Sequence, residues 1–115
     1  MAKKESSSRP IPRGVVYKIT CACGENYIGE TARPINIRIN EHISSVQKSD
    51  GKSAISDHIA QHPDHTIDWK NIKIINKHQD NYKTRKLIEA INIKKHKPTL
   101  NRDQGLFIPS AYDNI

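Results

Sequence analysis

Cys21 and Cys23 are the chain's two cysteines, and a single residue separates them. Such a pair can chelate one ion if the turn between them bends suitably, although a Cys-x-Cys pair is a weaker signal than Cys-x-x-Cys. Histidines are available downstream, where Asp57-His58-Ile59-Ala60-Gln61-His62-Pro63-Asp64-His65 offers three. His58 and His62 are four apart on one helix face, and His58 and His65 place one ligand on the helix and one just past its end. Either pair completes a Cys2His2 set for tetrahedral zinc, with sulfur at about 2.3 Å and nitrogen at about 2.0–2.1 Å. Four protein ligands would close the site and make it structural. A second group is more scattered: Tyr17, Tyr27, Arg38, His42 and Glu89. Together they suffice for metal-assisted phosphodiester cleavage. A phenol or histidine can help deprotonate water, an arginine can stabilise charge on the phosphorus centre, and a lone carboxylate can hold Mg²⁺ with several waters retained.

These residues need elements to place them. Val15-Val16-Tyr17-Lys18-Ile19 alternates and is rich in strand formers, so Val15, Tyr17 and Ile19 share one face. Tyr27-Ile28-Gly29 is a second short strand, and the two form an antiparallel hairpin with an enlarged tip that holds the cysteines. Gly29 marks a bulge or a close approach to the backbone. A helix follows over Arg33 to Gln47, with Pro34 in its first turn and Ile35, Ile39, Ile43 and Val46 as its apolar stripe. Arg38 and His42 flank that stripe, at the rim of the core. Ala54 to Gln61 reads as a short helix ended by Pro63. Asp68 to Lys77, with Trp69 and Ile72 to Ile75, reads as a third strand. Tyr82 to Lys97 is the longest helix, with Leu87, Ile88, Ala90 and Ile91 facing inward and Glu89 on the solvated side. The order is β-β-α-α-β-α, an α/β (α+β) fold built on a small three-stranded antiparallel sheet flanked by helices.

The 115 residues are enough for one domain with a modest core, since 35% are hydrophobic and 27% charged. A metal or a crosslink often supports a core of that kind. The net charge is +7, and it is concentrated: between Tyr82 and Arg102 seven basic residues face one acid, Glu89. Lys83, Arg85, Lys86, Lys94, Lys95 and Lys97 therefore form a footprint for a polyanion, with double-stranded DNA the expected partner. No run is long and apolar enough for a membrane span or a signal peptide. The expected setting is intracellular, nuclear or otherwise, where two cysteines serve a metal or stay free. Residues 1–12 read as a disordered basic leader, 13–102 as the domain, and 103–115 as a tail that packs on it.

Gly14-Val15-Val16-Tyr17 followed by Tyr27-Ile28-Gly29 resembles the two-part signature of the GIY-YIG endonuclease domain. Arg38 and His42 match that family's helix, Glu89 its metal-binding glutamate, and Asn101 the asparagine that follows. The resemblance spans Gly14 to about Asn101. Val15-Val16 stands where the family usually has a single isoleucine, an extension that leaves Tyr17 in place. The match is closer still to the endonuclease domain of Penelope-like retroelements: cysteines between the two signature parts, Tyr27-Ile28-Gly29-Glu30-Thr31, a serine-alanine stretch leading to a histidine, a histidine ahead of Ile67-Asp68-Trp69, and a Lys95-His96-Lys97-Pro98-Thr99-Leu100-Asn101 ending. That resemblance implies a zinc site of Cys21, Cys23, His58 and His65. It also implies a Mg²⁺-dependent nick in duplex DNA by Tyr17, Tyr27, Arg38, His42, Glu89 and Asn101. The freed 3′-hydroxyl would prime a reverse transcriptase domain, which is not part of this sequence. The alternative is a DNA-binding or domesticated module that keeps the fold and the zinc but no longer cuts.

Overall fold

The computed structural model describes residues 10–101. The leader up to residue 9 and the tail from 102 to 115 lie outside the described residues. The order of elements is β1 (Val15–Thr20), β2 (Asn26–Thr31), α1 (Ile35–Lys48), α2 (Ala54–Gln61), a 3₁₀ turn (Trp69–Asn71), β3 (Lys73–Asn76) and α3 (Tyr82–His96). This is the α+β architecture expected from the pattern, with a three-stranded antiparallel sheet in the order β2-β1-β3.

Alternation along β1 divides the core in two. Val15, Tyr17 and Ile19 are fully buried and meet Ile55, with Ile35, Ile39 and Val46 of α1 packed around them. Val16 points the other way and packs with Ile28 and with Ile93 of α3. So α1 and α2 cover one face of the sheet and α3 covers the other. The β1–β2 register runs unbroken from Val15 opposite Thr31 to Thr20 opposite Asn26. The β1–β3 register shifts at Val16/Tyr17, where Ile75 of β3 is the extra residue of a bulge. The double valine thus sits beside an irregularity in β3, and Tyr17 keeps its place opposite Gly29.

Local chemistry sets most of the boundaries. Ser53 caps α2, its hydroxyl accepting from the Ser56 N–H at 3.0 Å. Asn81 does the same for α3 through the Thr84 N–H at 2.9 Å. Lys97 ends α3 in the left-handed conformation, and Lys94, Lys95 and His96 in its last turn complement the helix dipole. Helix α1 begins at Ile35, two residues later than expected, because Pro34 keeps an extended ψ of 137°. The Ile35 N–H is met by the Pro12 carbonyl at 2.9 Å, which ties the chain before β1 to α1.

The third strand is shorter than the sequence suggests. Trp69 lies in the 3₁₀ turn, because Asp68 accepts from the Asn71 side chain and its own N–H donates to the Thr20 carbonyl. The inward face of α3 holds Ala90 and the partly buried Ile88 as expected, but Leu87 is exposed, and Arg85, Glu89 and Ile93 are buried beside them. The helix lies along the edge of the sheet, so its inward face carries polar groups that the apolar pattern cannot reveal. Among the described residues no helix is long and apolar enough to cross a membrane.

Candidate functional sites on one hairpin

The tip of the β1–β2 hairpin carries the first site. Cys21 bonds back to the Glu25 carbonyl through its N–H, and the Gly24 N–H donates to the Cys21 carbonyl, which closes the turn. Cys21 also forms a β-bridge with Ile67, and the Ala22 N–H donates to the Thr66 carbonyl at 2.8 Å. The tip is thereby fastened to the segment that carries His65, while α2 presents His58. One ligand atom from each of Cys21, Cys23, His58 and His65 lies within 4.8 Å of all the others.

The separations fit a small tetrahedral ion. Bond lengths of about 2.0–2.1 Å to nitrogen and about 2.3 Å to sulfur put ligand atoms about 3.3 Å (N to N) and about 3.6 Å (N to S) apart. The structure has His65 Nδ1 3.1 Å from His58 Nε2, and Cys23 Sγ 3.6 Å from His58 Nε2. His62 stacks on the His65 ring at 4.7 Å but is not part of the four-ligand set. Burial pushes the Cys21 thiol up and pulls His58 down, the latter with help from His65 and His62. A bound cation would reverse the cost for the thiolate and favour the neutral imidazole. The four residues can therefore hold a metal ion such as zinc.

The second site lies along the body of the hairpin. Tyr17 Oη and His42 Nε2 are 2.9 Å apart, and both residues are fully buried. His42 is thus not at the rim of the core, as its place on the helix suggests, but beneath it; the partner that draws it in is on a strand 25 residues away. Burial first, and then the nearby Arg38 charge, lower His42 to about 4, so it is neutral at pH 7. Its Nδ1 is buried without a hydrogen-bond partner. Burial, reinforced by Tyr27, raises the Tyr17 phenol, which keeps its proton.

Gly29 explains how the phenol reaches this position. A Cβ there would lie 2.7 Å from Tyr17 Oη and 2.8 Å from Tyr27 Cε2. The close approach expected at Gly29 is therefore made by two tyrosine rings. Those rings are 6.3 Å apart, and His42 packs edge-on to each.

Above this layer opens a cleft of about 270 Å³ lined by Tyr27, Arg38, Glu89, Lys86, Glu30, Lys52 and Asn101, among others. Tyr27 and Arg38 come from the α1 side of the sheet and Glu89 from the α3 side. They meet because β2 is an edge strand and the cleft wraps around it. Glu89, expected in solvent, is only 8% exposed and accepts from Lys86 Nζ at 2.7 Å. Burial opposes the Lys86 charge, but the Glu89 carboxylate outweighs it and holds the ammonium above its usual range. Arg38 bonds to Glu41 at 3.2 Å and stays partly exposed.

Asn101 has a different place from a group that touches reacting atoms. Its side chain spends both ends on Ile28, accepting from the N–H at 2.9 Å and donating to the carbonyl at 2.8 Å. With the Leu100 N–H on the Asn26 carbonyl, it covers the open edge of β2 and fixes the residue next to Tyr27.

The expected polyanion-binding set on α3 is also revised. Arg85 is 3% exposed and donates from Nε to Glu30 at 2.6 Å and from a terminal nitrogen to the Gln79 carbonyl at 3.0 Å, so it braces α3 against β2. Lys86 belongs to the cleft. Lys83, Lys94, Lys95 and Lys97 are exposed; the helical repeat puts Lys83 and Lys94 on one face of α3 beside Lys86, Lys95 on the next face, and Lys97 is the C-cap. Glu30 and Lys52 join the cleft without any expectation from the sequence pattern. For Glu30 a signal exists, because it shares a strand face with Ile28, toward α3; nothing local marks Lys52, which arrives through the α1–α2 loop. Compared with models of protein families, with curated proteins and with solved structures, the chain has no match.

Proposed function

We propose that this chain is a metal-dependent DNA endonuclease of the GIY-YIG type that nicks duplex DNA, with zinc in the Cys21/Cys23/His58/His65 site as a structural element. The observation that carries the reading is the convergence of Tyr27, Arg38 and Glu89 on one cleft, backed by the buried Tyr17–His42 pair. Arg38, on the cleft wall, would meet a phosphate oxygen, where fixed positive charge stabilises the transition state. Tyr27 is the phenol on the cleft and would orient the attacking water. Tyr17 and the neutral His42 form the buried floor against which the Tyr27 ring packs, and their hydrogen bond would hold that ring in position.

A single, largely buried carboxylate facing an open, polar cleft fits magnesium, which keeps several waters. Glu89 would hold it, displacing the Lys86 ammonium toward the phosphate. When bound, that ion supplies charge neutralisation at the phosphate and leaving oxygen. The freed 3′-hydroxyl would then serve a polymerase domain of a retroelement, in an intracellular and nuclear setting.

The test is nicking of supercoiled plasmid with and without Mg²⁺. Wild type is expected to nick only with the ion, and Glu89→Ala to lose activity. Tyr27→Phe and Arg38→Ala should each slow cleavage by about 10²-fold or more while duplex binding stays near wild type. The second reading, a non-cutting DNA-binding module, has the Lys86–Glu89 ion pair in its favour, because an ammonium already neutralises the acid. Equal plasmid survival with wild type and Glu89→Ala, alongside tight duplex binding, would select it.

A further inference from the structure

Lys18 and Lys73 are direct register partners across β1 and β3. Antiparallel partners project from the same face with Cβ atoms about 4.5–5.5 Å apart, and like charges there destabilise the sheet. The face is the one covered by α3, since Lys18 alternates with Val16 and Lys73 with Ile75, both packed with Ile93 or its neighbours. The last turn of α3 adds Lys95 and His96. His96 sits below its ordinary range because of burial and then because of the charges of Lys18, Lys95 and Lys73. Among the described residues no ion pair reaches Lys18, Lys73 or Lys95. The helix dipole accounts for Lys95 and His96 at a C-terminus, but it does not account for two lysines set opposite each other on adjacent strands.

The group is separate from the cleft yet close to it. Lys18 is the register partner of Ile28, which lines the cleft, and neighbouring strands lie about 4.8 Å apart. The uncompensated charge therefore begins one strand inward from the cleft and runs toward β3. We propose that Lys18, Lys73, Lys95 and His96 form a second phosphate-binding surface that grips the DNA backbone flanking the cut. The inference rests on the nuclease reading and adds a contact to it. Ammonium and imidazole N–H donors suit phosphate oxygens, and contacts of that kind contribute affinity and register.

Lys73→Glu tests it, because the two roles of this lysine have opposite signs. The substitution turns a like-charged cross-strand pair into an opposite-charged one, so the melting temperature should rise. Affinity for a duplex oligonucleotide, measured without magnesium, should fall several-fold, and the salt slope should drop by roughly 1. Lys95→Glu, on an exposed helical turn, should also weaken binding several-fold, with a modest drop in melting temperature because an acid opposes the helix dipole there. Unchanged affinity and slope in both variants, in a preparation whose wild type binds and nicks DNA, overturns this surface and leaves the nuclease reading standing. A wild type that binds no duplex overturns both. If Lys73→Glu melts lower than wild type, Lys95→Glu decides: weaker binding supports the surface and unchanged binding overturns it.

Discussion

At the tip of the hairpin Cys21 is buried, bridged to Ile67, and gathered with Cys23, His58 and His65 so that their ligand atoms all lie within 4.8 Å of one another. Halfway down the same strands, Tyr27, Arg38 and Glu89 line an open cleft whose acid is paired with Lys86. The first region is closed and bolted by backbone bonds; the second is open at the front and rigid only behind, where Tyr17 meets His42. The contrast fits a division of work between a site that holds the fold and a site that receives a substrate. Both draw on β1 and β2, so loosening the tip should disturb the tyrosines as well.

The comparison can be broken most directly at the tip. Structural zinc sites contribute about 10–16 kcal/mol of binding free energy, as large as the whole stability of about 5–15 kcal/mol of an ordinary domain. Metal removal or Cys21→Ser should therefore unfold much of the domain, as followed by circular dichroism. His65→Ala should lose the ion and His62→Ala should keep about one per chain by elemental analysis. Full folding of the metal-free protein would refute the structural role.

The brace behind the cleft comes next. Arg85→Ala removes the buried partner and its charged hydrogen bonds and leaves Glu30 partly exposed on the cleft, at about 3 kcal/mol, which denaturant titration should show. A loss of duplex binding without loss of stability would return Arg85 to the DNA-contacting set.

His42 gives a pH signature. Its folded value, about 4, lies below its unfolded value, so the unfolded chain binds the extra proton between them. The contribution is full above about pH 6.5 and is lost as pH falls toward 4, with a size of about 2–4 kcal/mol. Wild type should lose stability more steeply than His42→Gln through that window, and parallel curves would contradict the buried, neutral imidazole.

The smallest expected effect is Gly29→Ala, about 1–3 kcal/mol from crowding. It should displace the Tyr17 ring from His42 and slow cleavage more than it weakens binding.

The two regions also differ in how far the sequence reveals them. The ligands at the tip fall in two short segments with local spacing, so the order of residues alone narrows them to Cys21, Cys23, His58 and one of His62 and His65; the fold brings in His65. The same holds for the hairpin and for α2, whose bounds match the reading because a serine cap and a following proline mark them. The cleft is harder. Arg38, His42 and Glu89 stand out in the sequence, but a helical wheel gives direction without depth, so it puts His42 at the rim and Glu89 in solvent. Tyr17, which draws His42 inward, sits on a strand 25 residues away, and Glu89 is buried because α3 packs on the sheet, its local partner Lys86 going with it. Arg85 fails as a DNA contact for the same reason: its charge is visible in the sequence, but Glu30 lies 55 residues away.

The central claim is that the cleft cuts DNA, and single-turnover cleavage of an end-labelled duplex tests it most directly. With Mg²⁺, wild type should convert the duplex to a nicked product bearing a 3′-hydroxyl, and Glu89→Ala and Tyr27→Phe should bind the same duplex with little or no product. An intact duplex with wild type, or equal product from wild type and Glu89→Ala, would contradict the account.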